Sequence, residues 1–180
     1  MNTENIIKQV KRWAESMIVG LNFCPFAKRE LVNDRVRFKV TPADNEESLL
    51  LALQVEFLWL NQHPETETTL LIHPHVLRNF DEYNQFLDYA DNLLAHMGLE
   101  GVYQVASFHP DYQYHGTKPE DAENYINRSP YPLLHILRES SVAQAVASYP
   151  DIEQIPVRNI ELANELGSET LEVMRRSCLK

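Results

Sequence analysis

Three short apolar runs, residues 35–40, 68–72 and 102–108, each stop at a residue followed by proline: Thr41-Pro42, His73-Pro74 and His109-Pro110. Proline brings no N–H to a ladder, so each of these pairs ends a strand. The first run alternates polar and apolar residues and predicts one wet face. The second is almost continuously apolar, as expected of a strand covered on both sides.

Helical patterns separate the runs. Ile6, Val10, Trp13 and Met17 recur at helical spacing and predict an amphipathic first helix ending near Gly20. Asp44 and Glu47 read as a capping-box pair that opens a second helix to about Gln62. That helix is so apolar that it predicts burial on more than one side, by the sheet and a helix or by a partner subunit. Residues 81–97 predict a third helix, with Phe86, Ala90, Leu93 and Met97 on one stripe. Pro132 suits a first helical turn, and a fourth helix is read from there to about Ser148, with helical pieces over 159–177.

Alternating strands and helices imply parallel strands joined by right-handed crossovers. The predicted fold is α/β: a single domain over residues 1–180. It has a small, mostly parallel sheet of three or more strands flanked by helices, a long functional loop after the third strand and a helical C-terminus. Parallel strands would bring the three proline-terminated ends to one edge, where open sheets bind ligands. His73, His75, His109 and Asp111 would then face one crevice.

The stretch that follows the third strand reads FHPDYQYHGTKPEDAENYINRSPYPLLHILRE, residues 108–139. A loop this long is uncommon inside a compact domain and is usually functional or disordered. Tyr112, Tyr114, Tyr125 and Tyr131 argue against disorder. On the helix read after it, His135, Arg138 and Glu139 would share a face at i, i+3 and i+4, giving an acid or base beside an anion-holding arginine. The plainer alternative is a surface histidine and a salt bridge. Asn127, Arg128 and Ser129 sit at the expected helix start, where free N–H groups and Arg128 would hold a carboxylate or phosphate, or where Ser129 simply caps.

His73-x-His75 and His109-x-Asp111 would each place two ligands on one side of an extended chain. His73, His109 and Asp111 therefore form a candidate set for a divalent metal ion; strand-capping histidines are the alternative. Cys24, in Asn22-Phe23-Cys24-Pro25-Phe26, is a nucleophile or metal ligand if a base lies beside it, and a buried apolar thiol otherwise.

Composition removes several classes. Sixteen basic against 26 acidic residues give a net charge of −10, and no basic stripe with interleaved aromatics stands out, which argues against nucleic acid. Two cysteines make neither a disulfide framework nor a CxxC zinc pattern. With five glycines there is no phosphate-cradling loop, and no Gly-x-Ser-x-Gly elbow occurs. No apolar run is long enough to span a bilayer, and the first residues lack the apolar core of a signal peptide, so a cytoplasmic, soluble protein is expected.

The segments GLNFCPFA (20–27), FHPDYQY (108–114) and NRSPYPLLHILRE (127–139) resemble the bacterial family catalogued as domain of unknown function 1415. The similarity extends over nearly the whole chain, including IPVRNI from Ile155. This resemblance implies family membership and carries no activity or catalytic residues with it.

Three functional readings follow. The first is a small enzyme acting on an anionic small molecule, with or without a metal. It would use His109, Asp111, His135, Glu139 and Cys24 for chemistry and Asn127, Arg128, Ser129 and Arg138 for binding. The second is a non-catalytic ligand-binding or interaction module, with the apolar second helix as a homodimer face. The third makes the loop a structural polar network.

Overall fold

The computed structural model describes residues 2–180. Its centre is a four-stranded sheet of β1 (Val36–Val40), β2 (Thr68–Ile72), β3 (Tyr103–Phe108) and β4 (Leu133–Arg138), in the order β1-β2-β4-β3. β1 pairs parallel with β2, and β4 pairs antiparallel with both β2 and β3. β1, β2 and β3 therefore run the same way, with β4 reversed between two of them.

The sheet is mixed, not mostly parallel, because residues 133–138 form a strand where a helix was expected. Leu133, Leu134 and Ile136 are all fully buried. An interior strand covered on both faces is apolar on both, so it loses the alternation that marks a strand. Here it also runs without a break into a true helix, α5 (Glu139–Ser148). Pro132 precedes a strand, and His135, Arg138 and Glu139 share no helix face. On a strand His135 and Arg138 point to opposite sides of the sheet.

One side of the sheet is covered by α1 (Thr3–Trp13), a π-helical continuation (Ala14–Val19), a 3-10 turn (Ala122–Ile126), α6 (Gln154–Leu166) and α7 (Ser168–Ser177). Leu70, Ile72 and Leu133 meet Trp13, Met17, Tyr125, Ala163 and Leu171 there. The helical spacing of Ile6, Val10, Trp13 and Met17 does mark the buried stripe. The π-helical segment closes at Gly20, where a Cβ would collide with the Ser16 carbonyl, so no larger residue fits. A short α2 (Ala27–Val32), which buries no side chain, follows.

The other side is covered by α3 (Glu46–Gln62) and α4 (Phe80–His96), which pack Leu49, Leu53, Phe57, Tyr83 and Phe86 on Leu71, Leu134 and Ile136. The capping box of α3 is Asn45 with Ser48, one residue beyond the expected Asp44–Glu47 pair. Asn45 Oδ1 accepts from the Ser48 N–H at 2.9 Å, and Ser48 Oγ accepts from the Asn45 N–H at 3.4 Å. Among the described residues, α3 is covered on the side facing the sheet and α4, while Leu51, Val55 and Leu58 are 57, 58 and 48% exposed.

The carboxyl ends of β1, β2 and β3 share one edge of the sheet. The Thr41 N–H donates to Ile72 O at 2.9 Å, the His73 N–H to Pro132 O at 3.0 Å and the His109 N–H to Asn127 O at 3.2 Å. The strands thus continue one residue into each proline-terminated pair before the chain turns away.

Candidate functional site

His73 and His109, the residues that leave β2 and β3, are both fully buried. They flank Tyr83, with ring centroids 5.8 and 5.1 Å from it. Tyr83 ties the strand ends together: its hydroxyl donates to Leu133 O at 2.8 Å and accepts from the Phe108 N–H at 3.0 Å.

The hydrogen bonds fix the histidine tautomers. The Asp111 N–H donates to His109 Nδ1 at 3.0 Å, so Nε2 carries the proton and donates to Leu77 O at 3.1 Å. His73 Nδ1–H donates to Val76 O at 3.0 Å. Its Nε2 is buried and has no hydrogen-bond partner. Burial lowers the pKa of His73 from 6.5 to about 4 and pulls His109 down as well, with Asp111 acting against the latter shift. Both rings are neutral near pH 7.

Both histidines hold the turn of residues 73–79. Leu77 in this turn has φ 54°, a left-handed conformation that costs a leucine roughly 1 kcal/mol or more. Asn79 then caps α4, its Oδ1 accepting from the Asp81 and Glu82 N–H groups at 2.9 and 3.1 Å.

The long loop is held by side chains on its own backbone. Asn124, fully buried, accepts from the Tyr114 N–H at 2.9 Å and donates to Lys118 O at 2.7 Å. Asn127 accepts from the Tyr114 hydroxyl at 2.9 Å and donates to Ser107 O at 3.1 Å. Arg128 donates through Nε to Tyr112 O at 3.0 Å and through Nη2 to Pro119 O at 2.7 Å, and its guanidinium lies 4.6 Å from the Tyr125 ring centre. Ser129 is buried and donates to Tyr131 O at 2.6 Å, so it caps no helix. Asn127, Arg128 and Ser129 are spent on loop geometry.

The remaining sequence-nominated residues are dispersed. Arg138 donates to the carbonyls of Leu60 (2.8 Å), His63 (3.2 Å) and Thr66 (3.1 Å) and to the Tyr103 hydroxyl (3.2 Å), closing the C-terminal end of α3. His135 lies on the opposite face of the sheet. Thr68 Oγ donates to Ile136 O and accepts from His135 Nε2–H at 2.7 Å, and burial lowers the His135 pKa to about 4. Glu139 opens α5, its N–H on Val102 O at 2.9 Å. Cys24 packs against the core on the α1 side, away from Tyr83 and its histidines. Burial pushes its thiol up from 9.0, partly offset by the Phe26 and Ala27 N–H groups.

The described residues contain no group of three or more His, Cys, Asp or Glu side chains arranged to hold a metal ion. His73, His109 and Asp111 are thus neighbours in the chain's folding without forming a ligand set. Both ring nitrogens of His109 are already engaged.

Two clefts open at the strand-end edge beside the start of α4. The larger, about 670 Å³, is lined by Asp44, Glu46, His75, Arg78 and Glu82 around the buried Val76 and Leu77. The smaller, about 500 Å³, is lined by Phe80, Asp81, Asn84, Tyr112 and Tyr114 among others. Of the larger cleft's polar residues, only His75 was a candidate site residue in the sequence; Asp44 was read as a helix cap. The available signal was the pair of asparagine caps, Asn45 and Asn79, each a few residues beyond a proline-terminated strand. Two helix N-termini must then open at one edge.

No helix among the described residues is long and apolar enough to cross a membrane. No curated protein and no solved structure matches the chain. The family model described as protein of unknown function (DUF1415) matches residues 5–173 of 180, nearly the whole chain, as the resemblance implied. The chain belongs to this family.

Proposed function

We propose that this protein is a small-molecule-binding module, and that its 670 Å³ strand-end cleft takes a polar metabolite carrying both an anionic and a cationic group. One observation carries the reading. Arg78 and three carboxylates, Asp44, Glu46 and Glu82, line the same cleft, and Arg78 makes no side-chain hydrogen bond or ion pair among the described residues. An arginine in that state is available to grip a carboxylate or phosphate in bidentate fashion, while the acids attract an amine. The turn that presents Arg78 is pinned beforehand by His73 and His109, which lowers the ordering cost of binding.

Binding ranks above catalysis in this reading for a physical reason. The groups first nominated for acid–base and anion-holding roles, His109, His135, Arg128 and Arg138, are committed to hydrogen bonds within the fold. A general base has to reach a substrate proton with an open lone pair. The outward stripe of Leu51, Val55 and Leu58 supports a homodimer as part of the same reading, which light scattering across a concentration series tests.

Calorimetric titration with amino acids, dicarboxylates and sugar phosphates tests the binding site. Zwitterionic amino acids should bind most tightly. Arg78→Ala should weaken that binding roughly ten- to a hundred-fold, as expected for loss of a charge-assisted pair. Arg78 is exposed, so the variant should keep the native melting temperature. Equal binding by Arg78→Ala, or no heat from any of the three classes, would discard this reading.

A further inference from the structure

The second cleft is built differently from the first. Its walls are Phe80, from the first turn of α4, and Tyr112 and Tyr114, from the long loop. The Phe80 and Tyr112 ring centres lie 5.2 Å apart at an interplanar angle of 56°, and the Tyr112 and Tyr114 centres 5.0 Å apart at 70°. Rings inclined this way cannot stack flat on one another, so together they form a corner. Asp81 lines the same cleft, and its carboxylate is exposed and makes no ion pair among the described residues.

The corner is held from behind. The Tyr114 hydroxyl donates to Asn127 at 2.9 Å, and the Tyr114 N–H donates to Asn124 at 2.9 Å. Arg128 grips the Tyr112 carbonyl at 3.0 Å. Asn127 and Arg128, which looked like ligand-binding groups in the sequence, thus join Asn124 in fixing two aromatic rings in place. A loop of more than twenty residues is ordered to present them.

We infer that this cleft is a binding site for a small organic ammonium ion, held by the aromatic corner of Phe80, Tyr112 and Tyr114 and by the carboxylate of Asp81. The faces of aromatic rings attract cations through their quadrupole, and several inclined rings with an acid beside them are the arrangement that recognises alkylammonium groups. The net charge of −10 raises the local concentration of such ligands. The cleft is separate from the one lined by Arg78, so the two sites stand or fall independently.

The test compares choline with 3,3-dimethylbutan-1-ol, its uncharged isostere, by titration calorimetry on the full chain. Choline should bind and the isostere should not. Tyr112→Leu keeps the apolar volume but removes the quadrupole, and should weaken choline roughly three- to thirty-fold, the range of a single cation–π contact. Asp81→Asn leaves the rings untouched and should weaken it several-fold, with the loss shrinking as salt rises. Equal binding of choline and the isostere would overturn the inference, as would no binding of choline, or native affinity in both Tyr112→Leu and Asp81→Asn.

Discussion

His73 and His109 donate to adjacent carbonyls of one turn, His73 Nδ1 to Val76 O at 3.0 Å and His109 Nε2 to Leu77 O at 3.1 Å. They come from different strands, and the turn between them carries a left-handed leucine. The strand ends and the cleft wall are therefore one mechanical unit, with Tyr83 between the two rings.

This unit predicts a stability that falls in acid. In the unfolded chain a histidine titrates near 6.5; in the fold His73 titrates at about 4. Above pH 6.5 the residue is neutral in both states and pH has no effect through it. Between pH 6.5 and about 4 the unfolded chain takes up a proton that the folded chain cannot, so stability drops as pH falls. The titratable group facing His73 is His109, across Tyr83. His73→Asn keeps a donor for Val76 O and removes the titration. Urea unfolding at pH 7 and pH 4.5 should show a drop in the native protein larger than that of His73→Asn by about 2 kcal/mol. Equal drops would show that acid acts through the carboxylates alone.

Arg138 predicts a stability effect without a binding effect. Its guanidinium satisfies the carbonyls that end α3 and carry the chain into β2. Arg138→Ala leaves those acceptors without their charged donor and should cost about 2–4 kcal/mol, read as a lowered urea midpoint. Lysine has neither the fork nor the reach to serve three carbonyls and a phenol, so Arg138→Lys should recover less than half of the loss. Full recovery by lysine would mean that charge alone matters at this helix end.

The sequence was most legible where one pattern had one meaning. The run at 68–72 matches β2, and the period of Ile6, Val10, Trp13 and Met17 finds the buried side of the first helix, because each is covered in only one way. The run at 133–138 misled because a strand between two strands is apolar on both faces, and here it continues directly into a serine- and alanine-rich helix. That error propagated into function. It placed His135, Arg138 and Glu139 on one surface and turned Asn127, Arg128 and Ser129 into a helix start. Long-range bonds such as Arg138 to Leu60 leave no local signature, so a residue bound to distant backbone reads the same as one free for a ligand. Arg78 drew no attention for the converse reason: its availability is visible only when every other arginine's partners are known.

Arg128 separates the structural account of the long loop from the ligand account. It holds Tyr112 O and Pro119 O, seven residues apart, while lying on Tyr125, and so closes the loop from inside. Removing it should open the loop locally and leave the sheet intact. Arg128→Ala should speed amide exchange over residues 112–121 roughly ten- to a hundred-fold, equivalent to the loss of one or two charge-assisted hydrogen bonds, with exchange in β2 and β4 unchanged. Phosphate or a dicarboxylate should not restore the native rate. Were Arg128 an anion holder, the opposite pattern would appear: little change in loop exchange without ligand, and protection by the anion in the native protein that the variant lacks.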